Sequence, residues 1–84
     1  MTTRDEIRGW LDEGVAKGAT HVLVVSDTFS YDNYPVFVMK GQDVKVVKAE
    51  HNSEYRRDMQ QVMEIYNLSL DLESQLGERM AWNY

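Results

Sequence analysis

The stretch HVLVVS, residues 21–26, decides the fold, because it is short, rich in β-branched residues and bounded by turn formers. This pattern predicts a strand. The run PVFVMK at 35–40 has the same character, and Pro35 at its start disrupts no ladder hydrogen bond. Gly41-Gln42 then predicts a type II′ turn into a third strand over Asp43–Ala49. We therefore expect a three-stranded antiparallel meander.

The first two predicted strands are apolar on both faces, so the sheet needs cover on each side. A helix is predicted before the sheet, over Arg4–Lys17. Thr3 and Glu6 match a capping box at its start, and Gly18 matches the left-handed residue that ends such helices. The helix has one apolar stripe, made of Ile7, Trp10, Leu11 and Val15.

A second, longer helix is predicted from Ser53 to Leu76, and at 100° per residue it carries two apolar stripes. The first stripe consists of Tyr55, Met59, Val62, Met63, Tyr66 and Leu70, and the second of Ile65, Leu68, Leu72 and Leu76. One stripe can pack on the sheet. The other has no intramolecular element left to bury it, so a partner subunit is the simplest cover.

These elements predict a single α+β domain over residues 1–84, in the order α-β-β-β-α, that forms a homo-oligomer. Residues 78–84 form a tail after Gly77, and its Met80, Trp82 and Tyr84 are of the types enriched at protein contacts. We assign the predicted oligomer interface to the second helix stripe and to these three residues. A chain of 84 residues buries only about 60 to 65% of its unfolded surface, which also favours a partner.

Composition excludes several classes of function. The chain has no cysteine and two distant histidines, so we predict no disulfide, no metal site and no cofactor. Its net charge of −5 repels long nucleic acids. No apolar run is long enough to cross a bilayer and the N-terminus shows no signal peptide, so we expect a cytoplasmic protein.

The connection SDTFSYDNYP, residues 26–35, carries three aromatic and several polar side chains between two predicted strands. One interpretation is a structured hairpin loop, since Asp, Asn, Ser and Thr are good turn formers. The other is a ligand site, in which the aromatic rings stack on a flat ligand and the strand end makes polar contacts. The residues of that site are Asp27, Thr28, Phe29, Tyr31 and Tyr34.

Basic residues collect between the second predicted strand and the start of the long helix: Lys40, Lys45, Lys48, Arg56 and Arg57. With Asn52 and Ser53 at a predicted helix N-terminus, they indicate an anion site. A solvated surface of mixed charge is the alternative, because acidic residues are interspersed. His21 and His51 raise the possibility of acid-base chemistry, but without a nucleophile, metal cluster or phosphate loop we predict no enzyme.

Two segments, GATHVLVVSDTFSYDNYPVFV (18–38) and MQQVMEIYNLSLDLESQL (59–76), together with the final tryptophan, resemble a family of small proteins encoded by bacteriophages and prophages. The resemblance spans nearly the whole chain and implies a protein that works in the cytoplasm of an infected bacterium. It carries no activity and no catalytic residues. Many small phage proteins act by binding, either as oligomeric sponges for nucleotide-derived immune signals or as inhibitors of a host protein.

Three hypotheses follow. The first is a non-catalytic oligomeric sponge that sequesters a cyclic nucleotide or an ADP-ribose derivative, with stacking from the loop aromatics and polar contacts from Asp27, Thr28 and Lys48 as well as Arg56 and Arg57. The second is a protein-protein interaction module that inhibits or remodels a host or phage protein through the second helix stripe and the tail. A nucleotide-cleaving enzyme that uses His21 or His51 ranks last.

Overall fold

The computed structural model describes residues 3–27, 32–51, 60–78 and 81–84. The elements in chain order are α1 (Arg4–Lys17), β1 (Ala19–Asp27), β2 (Asn33–Met39), α2 (Val44–His51), β3 (Gln60–Asn67) and α3 (Leu72–Leu76). The strands form one antiparallel sheet in the order β2-β1-β3. The predicted α+β class with a three-stranded antiparallel sheet is confirmed, but the meander is wrong, because β1 lies in the centre.

Helix α1 has the predicted bounds and the predicted ends. At its start the Thr3 Oγ1 accepts a hydrogen bond from the Glu6 backbone N–H at 3.2 Å. At its end Gly18 adopts a φ of +79°, and its N–H donates to the carbonyls of Gly14 and Val15. Of the predicted apolar stripe, Ile7 and Leu11 are buried against the sheet and Trp10 is partly buried beside them, whereas Val15 is 54% exposed.

Strand β1 is buried on both faces, since none of the side chains of Val22 to Val25 is more than 1% exposed. One face packs on α1 and α3 in a core of Ile7, Leu11, Val22, Val24, Tyr66, Leu76 and Ala81, which we call the α1–α3 core. The other face packs on α2 in a core of Leu23, Val25, Val38, Val44, Val47, Val62 and Ile65, the α2 core. The second face is therefore covered from within the chain.

The predicted third strand over Asp43–Ala49 is wrong, because all of these residues after Asp43 belong to α2. Val44 and Val47, three positions apart, are buried, while Val46 between them is 54% exposed. This is helical spacing. Asp43 starts the helix, since its Oδ1 accepts from the Lys45 N–H at 2.9 Å and its carbonyl accepts from the Val47 N–H at 3.0 Å.

The predicted helix from Ser53 to Leu76 is also wrong. Residues 53–59 lie outside the described part of the chain, 60–67 form β3, and the short α3 begins after Asp71, whose side chain accepts from the Glu73 N–H. A β-bulge explains the misleading periodicity. Val24 pairs with Glu64 and Val25 with Val62, so Met63 is an extra residue. Val62 and Ile65 consequently share the α2 core although they are three positions apart.

The segment 81–84 covers the outer edge of β3. The Ile65 N–H donates to the Ala81 carbonyl at 2.8 Å, and the Asn83 N–H donates to the Ile65 carbonyl at 3.0 Å. These two bonds place Trp82 in a parallel bridge with Ile65. The side-chain amide of Asn67 also donates to the Tyr84 carbonyl at 3.3 Å. The described end of the predicted tail, residues 81–84, is thus paired with the sheet.

A buried glutamine ties α3 to the end of β3. Gln75 is 2% exposed. Its Oε1 accepts from the Asn67 N–H at 2.7 Å, and its Nε2 donates to the Asn67 carbonyl at 2.8 Å. The side-chain amide therefore satisfies both backbone groups of one strand residue, as a neighbouring strand would.

Replacement of Gly14 by alanine tests the packing of α1 on the sheet. An added Cβ would lie 2.8 Å from the Val22 Cγ2 and 3.0 Å from the Leu68 Cδ1. We expect Gly14→Ala to lower the free energy of unfolding by about 1 to 3 kcal/mol, since overpacking outweighs the gain in helix propensity. The matched control is Gly9→Ala, because a Cβ at Gly9 meets nothing within 4 Å.

Chemical denaturation of the two variants and the wild type measures the difference. Gly9→Ala should raise the free energy of unfolding by roughly 0.5 to 1 kcal/mol. A Gly14→Ala variant as stable as Gly9→Ala would contradict the close approach of α1 to β1.

Candidate functional site

The structure describes two of the five predicted ligand residues of the loop, Asp27 and Tyr34. Asp27 ends β1, and its N–H donates to the Asp32 carbonyl at 2.8 Å. Tyr34 lies in β2 and is half-buried against the α2 core. Burial, and then the charge of Asp27, raise the pKa of the Tyr34 hydroxyl. One ring of the predicted stacking platform is thus partly used for packing.

Most of the other predicted loop and anion-site residues lie outside the described part of the chain. This applies to Thr28, Phe29 and Tyr31 in the loop, and to Asn52, Ser53, Arg56 and Arg57 before β3. Their assignment to a ligand site stays a prediction. Lys48 is described and lies in α2. Its side chain contacts Trp82 and Tyr84, which the sequence assigns to the oligomer interface.

Lys48 meets two aromatic rings of the C-terminal segment. Its Nζ lies 4.7 Å from the centroid of the Trp82 ring and 5.5 Å from that of the Tyr84 ring, and it donates to the Tyr84 Oη at 2.9 Å. Lys45, one helical turn earlier, has its Nζ 5.8 Å from the Tyr84 centroid. All three ring distances are within the cation–π range of about 6 Å. We call these four residues the Lys–aromatic surface.

Two elements position this surface. The helical spacing of Lys45 and Lys48 puts both ammonium groups on the same side of α2. Trp82 and Tyr84, two positions apart in an extended segment, point to the same face of the sheet, which is the face of Ile65 and the α2 core. Because the segment 81–84 pairs with β3, its aromatic side chains lie beside the lysines of α2.

The rings of the Lys–aromatic surface remain open to solvent. Trp82 is 39% exposed and Tyr84 is 48% exposed. Exposed rings beside two ammonium groups can stack on a flat group and attract negative charge at the same place. Stacking and charge attraction are the interactions of a binding surface.

The predicted interface residues divide into two groups. Ile65 and Leu76 are buried in the two cores of the chain, and Leu68 and Leu72 are half-buried against the α1–α3 core. The second apolar stripe therefore lies inside the molecule and supplies no argument for an oligomer. Trp82 and Tyr84 are the exposed ones, while Met80 lies outside the described residues.

Lys45 is one of the basic residues of the predicted anion site, but the first hypothesis does not count it among the ligand contacts. The sequence places it among the basic residues, but a strand over Asp43–Ala49 would turn Lys45 and Lys48 to opposite faces. Two sequence patterns could have predicted this surface: the helical spacing of Lys45 and Lys48, and the alternation that puts Trp82 and Tyr84 on one face of an extended tail.

His21 occupies a partly buried position at the start of β1. Its Nδ1 lies 2.9 Å from the Thr20 Oγ1, and its Nε2 is buried without a hydrogen-bond partner among the described residues. Burial lowers the pKa of His21, and the backbone of Tyr84 opposes this shift. The other histidine, His51, has its Nδ1 2.9 Å from the Val47 carbonyl.

An open pocket of about 360 Å³ lies beside His21, at the end of the sheet. It is lined by Val15, Ala19, Thr20, His21, Asn67, Leu68 and Ser69. Among its polar groups, Thr20 donates to the Val38 carbonyl and Asn67 accepts from Ser69, whereas the His21 Nε2 has no hydrogen-bond partner among the described residues. Within the described ranges, no group of three or more His, Asp or Glu side chains could hold a metal ion.

No protein-family model matches this chain, and neither a curated protein nor a solved structure matches it. Its function is therefore inferred from its own residues. Among the described helices, none combines the length and the apolar character that a membrane span needs.

The lowered pKa of His21 predicts a pH dependence of stability. The unfolded chain, with a pKa near 6.5, binds the proton more readily than the folded protein. The contribution of His21 is present above the unfolded pKa and is lost as the pH falls through the folded pKa. We expect the melting temperature of wild-type protein to fall more steeply than that of His21→Gln between about pH 7 and about pH 5.

Thermal denaturation across this range, with His51→Gln as the control, measures the difference between the slopes. Carboxylates titrate in all three proteins, so the comparison isolates the histidine. Equal slopes for wild type and His21→Gln would show that burial does not oppose protonation of His21.

Proposed function

We propose that this protein is a non-catalytic binding protein that captures a small anionic ligand of the nucleotide class. The observation that carries the proposal is the contact of Lys48 with both Trp82 and Tyr84, because it joins positive charge to exposed aromatic rings at one place. Stacking of a base on an aromatic side chain contributes about 1 to 3 kcal/mol. Ammonium groups bind phosphate as point charges.

The charge distribution favours a small ligand over a long nucleic acid. The whole chain carries −5. A polymer of phosphates would meet this charge along its length, whereas a single nucleotide needs only the local field of Lys45 and Lys48. Helix α1, which carries Asp5 and Glu6 in its first turn, packs on the opposite face of the sheet from α2, and salt screens exposed charges over about 10 Å.

The proposed biological role follows from the resemblance to phage and prophage proteins. The protein would act in the cytoplasm of an infected bacterium as an oligomeric sponge for a nucleotide-derived immune signal, a cyclic nucleotide or an ADP-ribose derivative. In this proposal the loop residues Asp27 to Tyr34 and the pair Arg56 and Arg57 add contacts to the ligand. The small size of the chain is what still favours an oligomer.

Native mass spectrometry tests the proposal, because it reports subunit number and bound mass together. The purified protein is measured alone and with a panel of cyclic dinucleotides, cyclic oligonucleotides and ADP-ribose derivatives. We expect an intact ligand mass on wild-type protein and at least a tenfold weaker signal for the Trp82→Ala/Tyr84→Ala variant. Gln61→Ala, an exposed substitution on β3, is the control.

Two results would count against this function. Wild-type protein that gains no mass with any nucleotide would contradict ligand capture. Conversion of the ligand to a product over time would contradict a non-catalytic role.

A protein partner is the second candidate, and the exposure of Trp82 and Tyr84 on an open surface favours it. In this case the module inhibits or remodels a host or phage protein. We expect an immobilised wild-type protein to capture one defined partner from infected cells, and Trp82→Ala/Tyr84→Ala to lose it. Substitution is preferable to deletion of residues 78–84, since Ala81 is buried and bonded to β3. Equal capture by both proteins would exclude this surface.

A further inference from the structure

The spacing of Trp82 and Tyr84 along the chain sets the separation of their side chains. The segment is extended where it pairs with β3, because Ala81 and Asn83 both bond the backbone of Ile65. An extended chain rises about 3.3 Å per residue, so side chains two positions apart leave the backbone about 6.6 Å from each other on the same face.

This separation matches the thickness of one stacked base with a ring on each side. Stacked bases lie about 3.4 Å apart along a strand, so a flat ring between two others needs about 6.8 Å. A single residue of separation would place the aromatic side chains on opposite faces. A separation of four residues would leave a gap of about 13 Å, too wide for one base.

In the free protein the ammonium of Lys48 lies against these two rings. Its Nζ lies over the Trp82 ring, 4.7 Å from the centroid, and donates to the Tyr84 Oη at 2.9 Å, which places it at the hydroxyl edge of the Tyr84 ring, 5.5 Å from that centroid. A cation at this position makes a cation–π contact with Trp82 and a charge-assisted hydrogen bond with Tyr84. It also occupies the volume that a flat ligand would need in order to stack on Trp82.

We infer that the ligand of this protein is a nucleoside phosphate whose base lies between Trp82 and Tyr84 in place of the Lys48 ammonium, and that the displaced Lys48 binds the phosphate. The inference rests on the proposed function and specifies its ligand and its site. Lys48 has a flexible four-carbon stem, so its ammonium can leave the rings while α2 stays in place. Lys45, one turn earlier, supplies a second charge beside Tyr84.

This arrangement gives Lys48 two opposing effects on affinity. It competes with the base for the rings, which weakens the binding of an uncharged nucleoside. It also attracts the phosphate, which strengthens the binding of a nucleotide. Both a base and a phosphate are therefore needed, and neither a bare sugar phosphate nor a nucleoside has the full set of contacts.

The experiment compares AMP, adenosine and ribose 5-phosphate on three proteins: wild type, Lys48→Met and Trp82→Ala. Methionine keeps an unbranched side chain of similar length without the charge. Dissociation constants come from NMR titrations that follow the indole N–H of Trp82, identified with a Trp10→Phe variant, and for Trp82→Ala from backbone amide signals. The signals of the Lys48 methylene protons next to Nζ report whether the ammonium leaves the rings.

We expect wild-type protein to bind AMP more tightly than adenosine or ribose 5-phosphate. Trp82→Ala should weaken AMP binding roughly 5- to 150-fold. Lys48→Met should weaken AMP binding but leave adenosine binding equal or tighter, since the competing cation is gone. AMP should also shift the Lys48 methylene signals from their upfield, ring-shielded position toward that of a solvated lysine.

Lys17→Met is the matched control, because it removes the same charge from an exposed position in the last turn of α1. It should change AMP binding less than Lys48→Met does. Equal weakening of AMP and adenosine by Lys48→Met would overturn the exchange of Lys48 for a base. Unshifted Lys48 signals in saturating AMP would also overturn it.

The outcomes separate this inference from the proposed function. If the nucleotide panel gives a bound mass but neither Trp82→Ala nor Lys48→Met changes AMP binding, the protein captures nucleotides at another site and this inference alone is wrong. If neither the panel nor AMP binds wild-type protein, both are wrong.

Discussion

The structure depends on one constraint, which is that the centre of β1 must be kept from water on both faces of the sheet. Val22 to Val25 are almost fully buried, and each alternate pair faces a different core. A strand of this kind has to be central, and it needs a helical layer on each side. In this chain α1 and α3 form one layer and α2 forms the other, so all the elements have a place in covering β1.

Local sequence signals predicted the secondary structure correctly where the apolar residues fit only one spacing, either that of a helix or that of a strand. The cap, stripe and terminal glycine of α1, and the continuous apolar runs of β1 and β2, predicted these elements to within two or three residues. These signals gave the wrong element where the apolar residues fit both the helical and the strand spacing. The run VKVVKA presents valines at both helical and strand spacings. In β3 the bulge at Met63 shifts the buried residues to a spacing of three, which imitates a helix.

The candidate site shows the same limit at longer range. Lys48, Trp82 and Tyr84 were each identifiable from the sequence, but as members of separate sites. What unites them is the pairing of residues 81–84 with β3 beside α2, a contact between segments 17 residues apart in the chain, as Ile65 and Trp82 show. Helical or strand periodicity contains no information about such a pairing, because it reports the faces of one element and not the neighbours of that element.

The segment 81–84 has a further consequence for the behaviour of the protein in concentrated solution. An unpaired strand edge is a template on which other chains can add, and sheets with long apolar edges aggregate. Here one edge of the sheet is covered by this segment, and the opposite edge strand, β2, contains Pro35, which lacks an N–H to donate. Residues 81–84 therefore also reduce aggregation, because they occupy the edge of β3 to which another chain could pair. Loss of these residues would expose the backbone of β3 to other copies of the chain, so solubility would fail even if each molecule still folded.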